Sequence, residues 1–343
     1  MLTESQLRSL PKVELHRHLD GSVRPETMLD IARLHGIDLG ADTVEGVRRA
    51  AMVREPREDL AAVLAAFSTL RKVLCCGEAL SRIAYENVED AHRDGVKLLE
   101  LRFAPAFIAE GKALGHDEII EGVLDGVRRA AERFPVEVGL IGILPRAAPL
   151  EANAGATEDL IRHKASGKPL ADRLCGFDLA DGETETDPRA FVPYVDKARG
   201  AGFGITVHSG ENTDAACMRR TLELYRPRRI GHGIRAAGDA DLMAMLRDRG
   251  IALEVCPTSN WLTRSVPSLE AHPLPLLYGA GVPLSINSDD PWLMDIDLTH
   301  EYSVCARLYG FGVDEFTAVN RAALGQSFLP TDVVDRVRKR YFG

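Results

Sequence analysis

Residues 96–144 read VKLLELRFAPAFIAEGKALGHDEIIEGVLDGVRRAAERFPVEVGLIGIL, and the periods within them decide the fold. The runs 96–103 and 136–144 are short and β-rich, whereas HDEIIEGVLDGVRRAAERF between them has helical spacing. A strand, a helix and a strand in that order make a βαβ unit with parallel strands. Outward from this unit the alternation continues in both directions. KVELHRHL (12–19), LCGFDLA (174–180), GITVHSG (204–210), RRIGHG (228–233), IALEVCP (251–257) and PLSINSD (283–289) bring the runs to eight. Helical stretches such as PETMLDIARLHG (25–36) and FVPYVDKARGAG (191–202) separate them, several closed by a glycine suited to a helix C-terminus. Eight strands with intervening helices predict an α/β chain folded as a (β/α)8 TIM barrel.

The gap between the first two runs exceeds what one crossover needs. It contains DTVEGVRRAAMV and EDLAAVLAAFSTLRKVL, so about 38–95 is expected to hold lid helices plus the crossover, inserted after strand one at the barrel mouth. No Ser/Gly linker or composition break divides the chain, which reads as a single domain over 1–343. The 343 residues are 45% hydrophobic and 27% charged, an ordinary globular balance that excludes collagen-like, coiled-coil and disordered classes. With 51 acidic against 42 basic residues and no long block of either sign, the field does not favour a nucleic-acid backbone. The expected partner is a small molecule. The first residues lack a secretory signal, and the longest stretch free of charge, AHPLPLLYGAGVPLSINS, is broken by three prolines and two glycines, so a cytoplasmic protein without a membrane span is expected. Six cysteines without a CxxC give no disulfide framework or thiolate zinc knot, and read as small buried apolar residues.

Four of the ten histidines, His16, His18, His208 and His232, fall at the C-terminal parts of predicted strands. Residues two apart on a strand share a face, so His16 and His18 can approach one ion from the mouth. The other six read as histidines satisfied by backbone or solvent. HRH on strand one, HSGE on strand five, GHG on strand six and SDD on strand eight jointly bring imidazoles and carboxylates to the end of the barrel where ligands bind. That donor set suits zinc or a similar divalent metal. The fourth and fifth runs offer no lysine for a carbamylated bridge between two metals, which leaves a mononuclear site. His116-Asp117-Glu118 matches half of the other zinc deaminase design, H-x-E with PCxxC, but no PCxxC exists in the chain.

PKVELHRHLDGSVRPET, LELRFAP, FDLADGE, TVHSGE, RIGHGIR, EVCPTSN and SINSDDP occur in the order and near the spacing of the adenosine deaminase family of metal-dependent barrel hydrolases, which the chain resembles from about Pro11 to about Pro330. The resemblance implies hydrolytic deamination of a 6-aminopurine nucleoside, adenosine or 2′-deoxyadenosine, to the inosine product and ammonia. It also implies one Zn2+ per chain, held by His16, His18, His208 and Asp289 and supplying an activated water. Glu211 would protonate the purine ring nitrogen, a task that needs a raised pKa. His232 would orient the nucleophile without being a ligand, and Asp289 counts with Glu211 and His232 among the catalytic groups. His18, Asp20, Asp181, Gly182 and Asp290 would contact substrate, Asp290 at the five-membered ring and Asp20 at a ribose hydroxyl. Since adjacent strand residues face apart, Asp289 and Asp290 need a local bend to serve both roles.

Two departures from the family pattern bear on substrate. The chain has HLDG where adenine-specific relatives resemble HLEG, which favours a nucleoside. It has Asp178-Leu179-Ala180-Asp181-Gly182-Glu183 where the family resembles DLAGDE, so either Asp181 or Gly182 takes the backbone role of the family's glycine. Leu60, Val63, Leu64 and Phe67 form an apolar stripe that by itself reads as core; the resemblance implies that it closes over the nucleoside. Arg102 and Arg235 read as structural ion-pair formers. The alternatives left open are free adenine, a 5′-modified nucleoside such as aminodeoxyfutalosine, or a catalytically silent nucleoside-binding protein on the same scaffold.

Overall fold

The computed structural model describes residues 2–64, 66–184 and 186–343, with the side chain of Leu64 outside the described set. Eight parallel strands follow one another in sequence order around a barrel: β1 Lys12–His18, β2 Val96–Phe103, β3 Glu137–Pro145, β4 Leu174–Ala180, β5 Gly204–Ser209, β6 Arg229–His232, β7 Ala252–Val255 and β8 Leu284–Ile286. Each of the eight sequence runs becomes one of these strands. The last three are shorter than the runs. Gly233 turns the chain into a left-handed conformation after β6, and Pro257 begins a helix, Pro257–Leu262, just beyond β7.

After β8 a side chain takes over the work of a ladder. Asn287 Oδ1 accepts the Leu15 N–H at 2.9 Å and its Nδ2 donates to the Val255 carbonyl at 3.2 Å, which ties β1 to the end of β7. Closure is completed by Asp289, whose N–H donates to the His16 carbonyl at 3.1 Å while its carbonyl accepts the His18 N–H at 2.8 Å. The barrel therefore shuts at the residues in which the sequence placed the metal ligands.

The helix His116–Ala131 illustrates how the outer layer forms. Asp117 and Glu118 lie in its first turn and Arg128 and Arg129 in its last, each opposite in sign to the helix end it faces. Ile119, Ile120, Val123, Val127 and Ala130 form its buried stripe. It packs along the helix Gly77–Arg93, and Gly126 makes the close approach possible, because a Cβ there would come 2.2 Å from the Ser81 carbonyl oxygen. Between β1 and Gly77 the chain forms the helices Pro25–His35, Val44–Ala51, Leu60–Leu64 and Phe67–Val73, so helical structure begins before residue 38. Among the described residues no single helix is long and apolar enough to cross a membrane. All six cysteines are free; Cys175, Cys256 and Cys305 are buried as expected, whereas Cys75, Cys76 and Cys217 are only half-buried.

Candidate active site

A cavity of about 560 Å³ opens at the C-terminal ends of the strands. Its floor is made by His18, His208, His232 and Asp289, and its outer wall by apolar side chains that include Leu60, Val63 and Phe67 from the inserted helices. Leu60, Val63 and Phe67 of the stripe read from the sequence thus line the cavity, and Val63 and Phe67 also belong to the buried core, as the core reading expected. Leu64 of that stripe lies outside the described side chains.

Four imidazoles crowd the floor. The His16 ring centroid lies 5.2, 4.6 and 4.9 Å from those of His18, His208 and His232. His16 Nε2 is 3.3 Å from His18 Nε2, and Asp289 Oδ1 lies 3.1 Å from the first and 3.3 Å from the second. A tetrahedral ion with arms of about 2.0–2.1 Å needs ligand atoms about 3.3–3.4 Å apart, so these three atoms already occupy the corners of such a figure. His208 approaches the same point from β5, and the ligand atoms of His16, His208 and His232 all lie within 4.8 Å of one another.

The far sides of the rings explain their orientation. His16 Nδ1 meets Glu254 Oε2 at 2.8 Å and His208 Nδ1 meets Asp178 Oδ2 at 3.0 Å. An ionised carboxylate only accepts, so each ring donates from Nδ1 and keeps a lone pair on Nε2 toward the cavity. Arg102 joins these two acids, donating to Asp178 at 2.7 Å, to Glu254 at 2.8 Å and to the Leu15 carbonyl at 2.7 Å, fully buried. Burial would push both acids up, but His208 and Arg102 hold Asp178, and Arg102 and Arg229 hold Glu254, below the usual carboxylate range. Burial also keeps His208 neutral down to about 4. At His16, burial and Arg102 pull the pKa down, yet Asp289 and Glu254 on either side raise it. The position draws positive charge. Neutral imidazoles, an ionised carboxylate and this demand for a cation together fit a divalent metal.

Sequence reasoning gave Arg102 an ion-pairing role, and that is what it has. Arg235, expected to do the same, makes no ion pair among the described residues. Glu254 was missed, because a single acid inside an apolar strand has no local signal of its partner 238 positions away.

The carboxyls facing the cavity differ from the ligand set. Glu211 is buried; its Oε1 accepts from Thr263 at 3.1 Å and its Oε2 lies 3.8 Å from His232 Nε2. Burial first, then Asp289 and Glu183 nearby, raise its pKa. Its loop is clamped by Glu183, whose carboxylate accepts the N–H groups of Gly210, Glu211 and Asn212 at 2.7, 3.0 and 3.2 Å and the Thr213 hydroxyl at 2.5 Å. Asp20 Oδ1 and Asp290 Oδ1 are buried without a hydrogen-bond partner, and burial lifts Asp20 to about 7. Buried carboxyl oxygens left unpaired at a cavity wall are open to hydrogen-bond a ligand.

Three site residues sit in the left-handed region that non-glycine residues avoid: Asp181 at φ 71°, His232 at φ 59° and Asp289 at φ 61°. The turn at Asp289 is the bend that lets Asp289 face the imidazoles while Asp290 lines the cavity. Asp181 adopts the conformation a glycine would take and lines the cavity, and Gly182 is not among the lining residues. Arg146 holds this edge in place by donating to the Asp181 carbonyl at 3.0 Å and the His208 carbonyl at 2.7 Å.

A barrel with histidines and an aspartate gathered where strands β1, β5 and β8 end, and with a buried acid beside them, defines a (β/α)8 hydrolase whose donor set fits a metal. The sequence model described as adenosine deaminase matches residues 11–341. The chain belongs to the adenosine deaminase family. An adenosine deaminase of Shewanella loihica is 37% identical over 321 residues, covering 94% of this chain and 95% of the relative. Among solved structures, the adenine deaminase of Arthrobacter aurescens superposes with a TM-score of 0.86 at 25% identity, covering 96% of this chain and 98% of that one. The N6-methyl-AMP deaminase of Arabidopsis thaliana gives 0.83 at 27% identity, covering 99% and 98%. The chain is a hydrolytic deaminase of this family.

Proposed function

We propose that the protein deaminates adenosine or 2′-deoxyadenosine, using one zinc held by His16, His18, His208 and Asp289. The carrying observation is the chemistry of the cavity wall. Six carboxyl-bearing residues, Asp20, Glu110, Asp181, Glu211, Asp289 and Asp290, line it, and none of the described lining residues is Lys or Arg. A purine base and a sugar hydroxyl can hydrogen-bond to these carboxyls, whereas a 5′-phosphate would find no lysine or arginine among the described lining residues to pair with. That favours a nucleoside over a nucleotide such as the one acted on by the Arabidopsis enzyme.

When bound by His16, His18, His208 and Asp289, the ion would make a water nucleophilic at neutral pH. Addition of that water at the carbon bearing the amino group builds negative charge on the adjacent ring nitrogen, and Glu211 delivers a proton there. Its raised pKa keeps the proton available. His232, beside both Glu211 and Asp289, orients the attacking oxygen by electrostatics. The unpaired carboxyl of Asp290 takes the five-membered ring, and that of Asp20 takes a ribose hydroxyl. Asp181 offers its backbone in the place of the family's glycine, while His18 borders both metal and substrate. Of the two protons of the attacking water, one passes to the amino group, which leaves as ammonia, and one returns to Glu211, so the 6-oxo product keeps the proton delivered to its ring nitrogen.

The test is ammonia release from adenosine, 2′-deoxyadenosine, adenine, AMP and a 5′-substituted adenosine. The two nucleosides should lead, with AMP lower by at least about 100-fold in kcat/KM. A preference for AMP or free adenine would overturn the reading.

A further inference from the structure

Three imidazoles of the floor have nitrogens close enough to share one ion, but only two have carboxylates behind them. Behind His232 stands Asn260, with its Nδ2 3.1 Å from His232 Nδ1. An amide can face a ring nitrogen with either end, as donor or acceptor, so the proton on His232 depends on what fixes the amide.

That fixing comes from the backbone. Leu274 is the first residue of the helix Leu274–Gly279, and its N–H has no partner inside the helix. It donates to His272 Nδ1 at 3.0 Å. A ring nitrogen that accepts carries no proton, so neutral His272 bears its proton on Nε2, which donates to Asn260 Oδ1 at 3.1 Å. With its oxygen thus engaged, Asn260 can only present its NH2 to His232. Burial supports the chain of assignments by pulling the His272 pKa down to about 3. All three side chains are buried.

We infer that His272 and Asn260 are positioning residues that set the tautomer of His232, placing its proton on Nε2 toward the reacting oxygen and denying that nitrogen to the metal. The partner of Nδ1 therefore sorts these three imidazoles: a carboxylate behind His16 and His208 leaves a lone pair for an ion, and an amide behind His232 leaves a proton for the nucleophile. His232 Nε2 faces Asp289 Oδ2 and Glu211 Oε2, both at 3.8 Å, so the proton points to the place where the three groups converge. The inference rests on the deaminase reading for its catalytic consequence, but not for the tautomer itself.

The test uses protein purified with its metal and labelled with 15N-histidine. Two-bond 1H–15N spectra distinguish the two neutral tautomers and need no substrate. In the wild-type protein His232 should be protonated at Nε2 and His272 at Nε2. Asn260→Asp keeps the shape and still accepts from His272, but puts a carboxylate oxygen against His232 Nδ1. The His232 proton should move to Nδ1, and kcat on the preferred nucleoside should fall at least about 100-fold with KM within about threefold, since a wrong tautomer at a catalytic imidazole costs up to about 10⁴ in rate. His272→Leu should lower kcat about tenfold by freeing the amide to turn, and His272→Gln should recover part of that loss, because its amide can again donate to Asn260. A wild-type spectrum with His232 protonated at Nδ1 overturns the inference, as does an Asn260→Asp protein that keeps wild-type kcat. Failure to release ammonia from any 6-aminopurine would instead remove the proposed function and leave the spectra to decide the tautomer.

Discussion

The carboxyl of Asp290 rests directly on the bare backbone of Gly21: a Cβ at position 21 would lie 1.8 Å from Asp290 Oδ1. This contact joins the HLDG turn after β1 to the SDDP turn after β8, so the glycine of the first motif makes room for the second. Gly21→Ala should displace Asp290, at a cost typical of overpacking, about 1–3 kcal/mol. Realised in the transition state, that is a fall of roughly one to two powers of ten in kcat/KM. Metal content by elemental analysis should be unchanged, and full activity in this variant would detach Asp290 from substrate binding.

Among the described residues, Arg102 is the one that touches the acids behind two proposed ligands. Arg102→Met fills similar volume but leaves Asp178 with only the neutral His208 ring as its partner, and leaves Glu254 dependent on Arg229. Loss of one partner of a buried ion pair costs about 3–5 kcal/mol. Loosened carboxylates behind the ligands should weaken metal retention about 10–100-fold. Denaturant unfolding and chelator competition read the two effects separately. If stability drops while metal affinity stays at the wild-type level, Arg102 is structural only.

Glu211→Gln separates proton delivery from metal binding. The amide preserves size and can still bond to Thr263, but it has no carboxyl proton to give. Turnover should fall by about 100-fold or more while the metal remains. Near-normal turnover would remove Glu211 from the chemistry.

Glu183 offers a test in pH. Burial pushes its pKa up, but the Thr213 hydroxyl, the Gly210 and Glu211 N–H groups and the charge of Arg146 outweigh this and hold it below its ordinary value. A depressed folded pKa means that the unfolded chain binds the proton more readily, so the stabilisation is present in full above the unfolded value, about 4.3, and is lost as pH falls through the folded value. Glu183→Gln should cost about 1.5–3 kcal/mol at pH 7 by loss of charge-assisted bonds. The gap between wild type and variant in urea unfolding should narrow below about pH 4. A gap independent of pH would mean that shape, not charge, makes the clamp.

The eight strands and the cluster of His16, His18, His208, His232 and Asp289 were legible because strand period and βα order are local properties of the chain. What stood behind those residues was not. Glu254, Asn260 and His272 meet the site only after barrel closure brings β1, β6 and β7 together, and no spacing within a motif records such a contact. His272 read as a histidine satisfied by backbone or solvent, and its Nδ1 does accept a backbone N–H; the contact of its Nε2 with Asn260 is what gives it a role. Asp289 was partly legible, since two adjacent aspartates with different tasks required a bend, and the left-handed backbone at Asp289 supplies it.

Asp20 bears on the sugar. Its Oδ1 is buried and unpaired, a state that costs free energy unless a ligand satisfies it. If a ribose hydroxyl is that ligand, the bond exists only for nucleosides and its loss should cost about 1.5–3 kcal/mol. Asp20→Ala should therefore lower kcat/KM for adenosine by roughly one to two powers of ten, while the weaker activity on adenine, which has no hydroxyl to offer, should scarcely change. The comparison carries its own control, because damage to neighbouring His18 would depress both substrates together. Equal losses on adenosine and adenine would assign Asp20 to the integrity of the site, and a loss confined to a 5′-substituted nucleoside would move its contact to another hydroxyl.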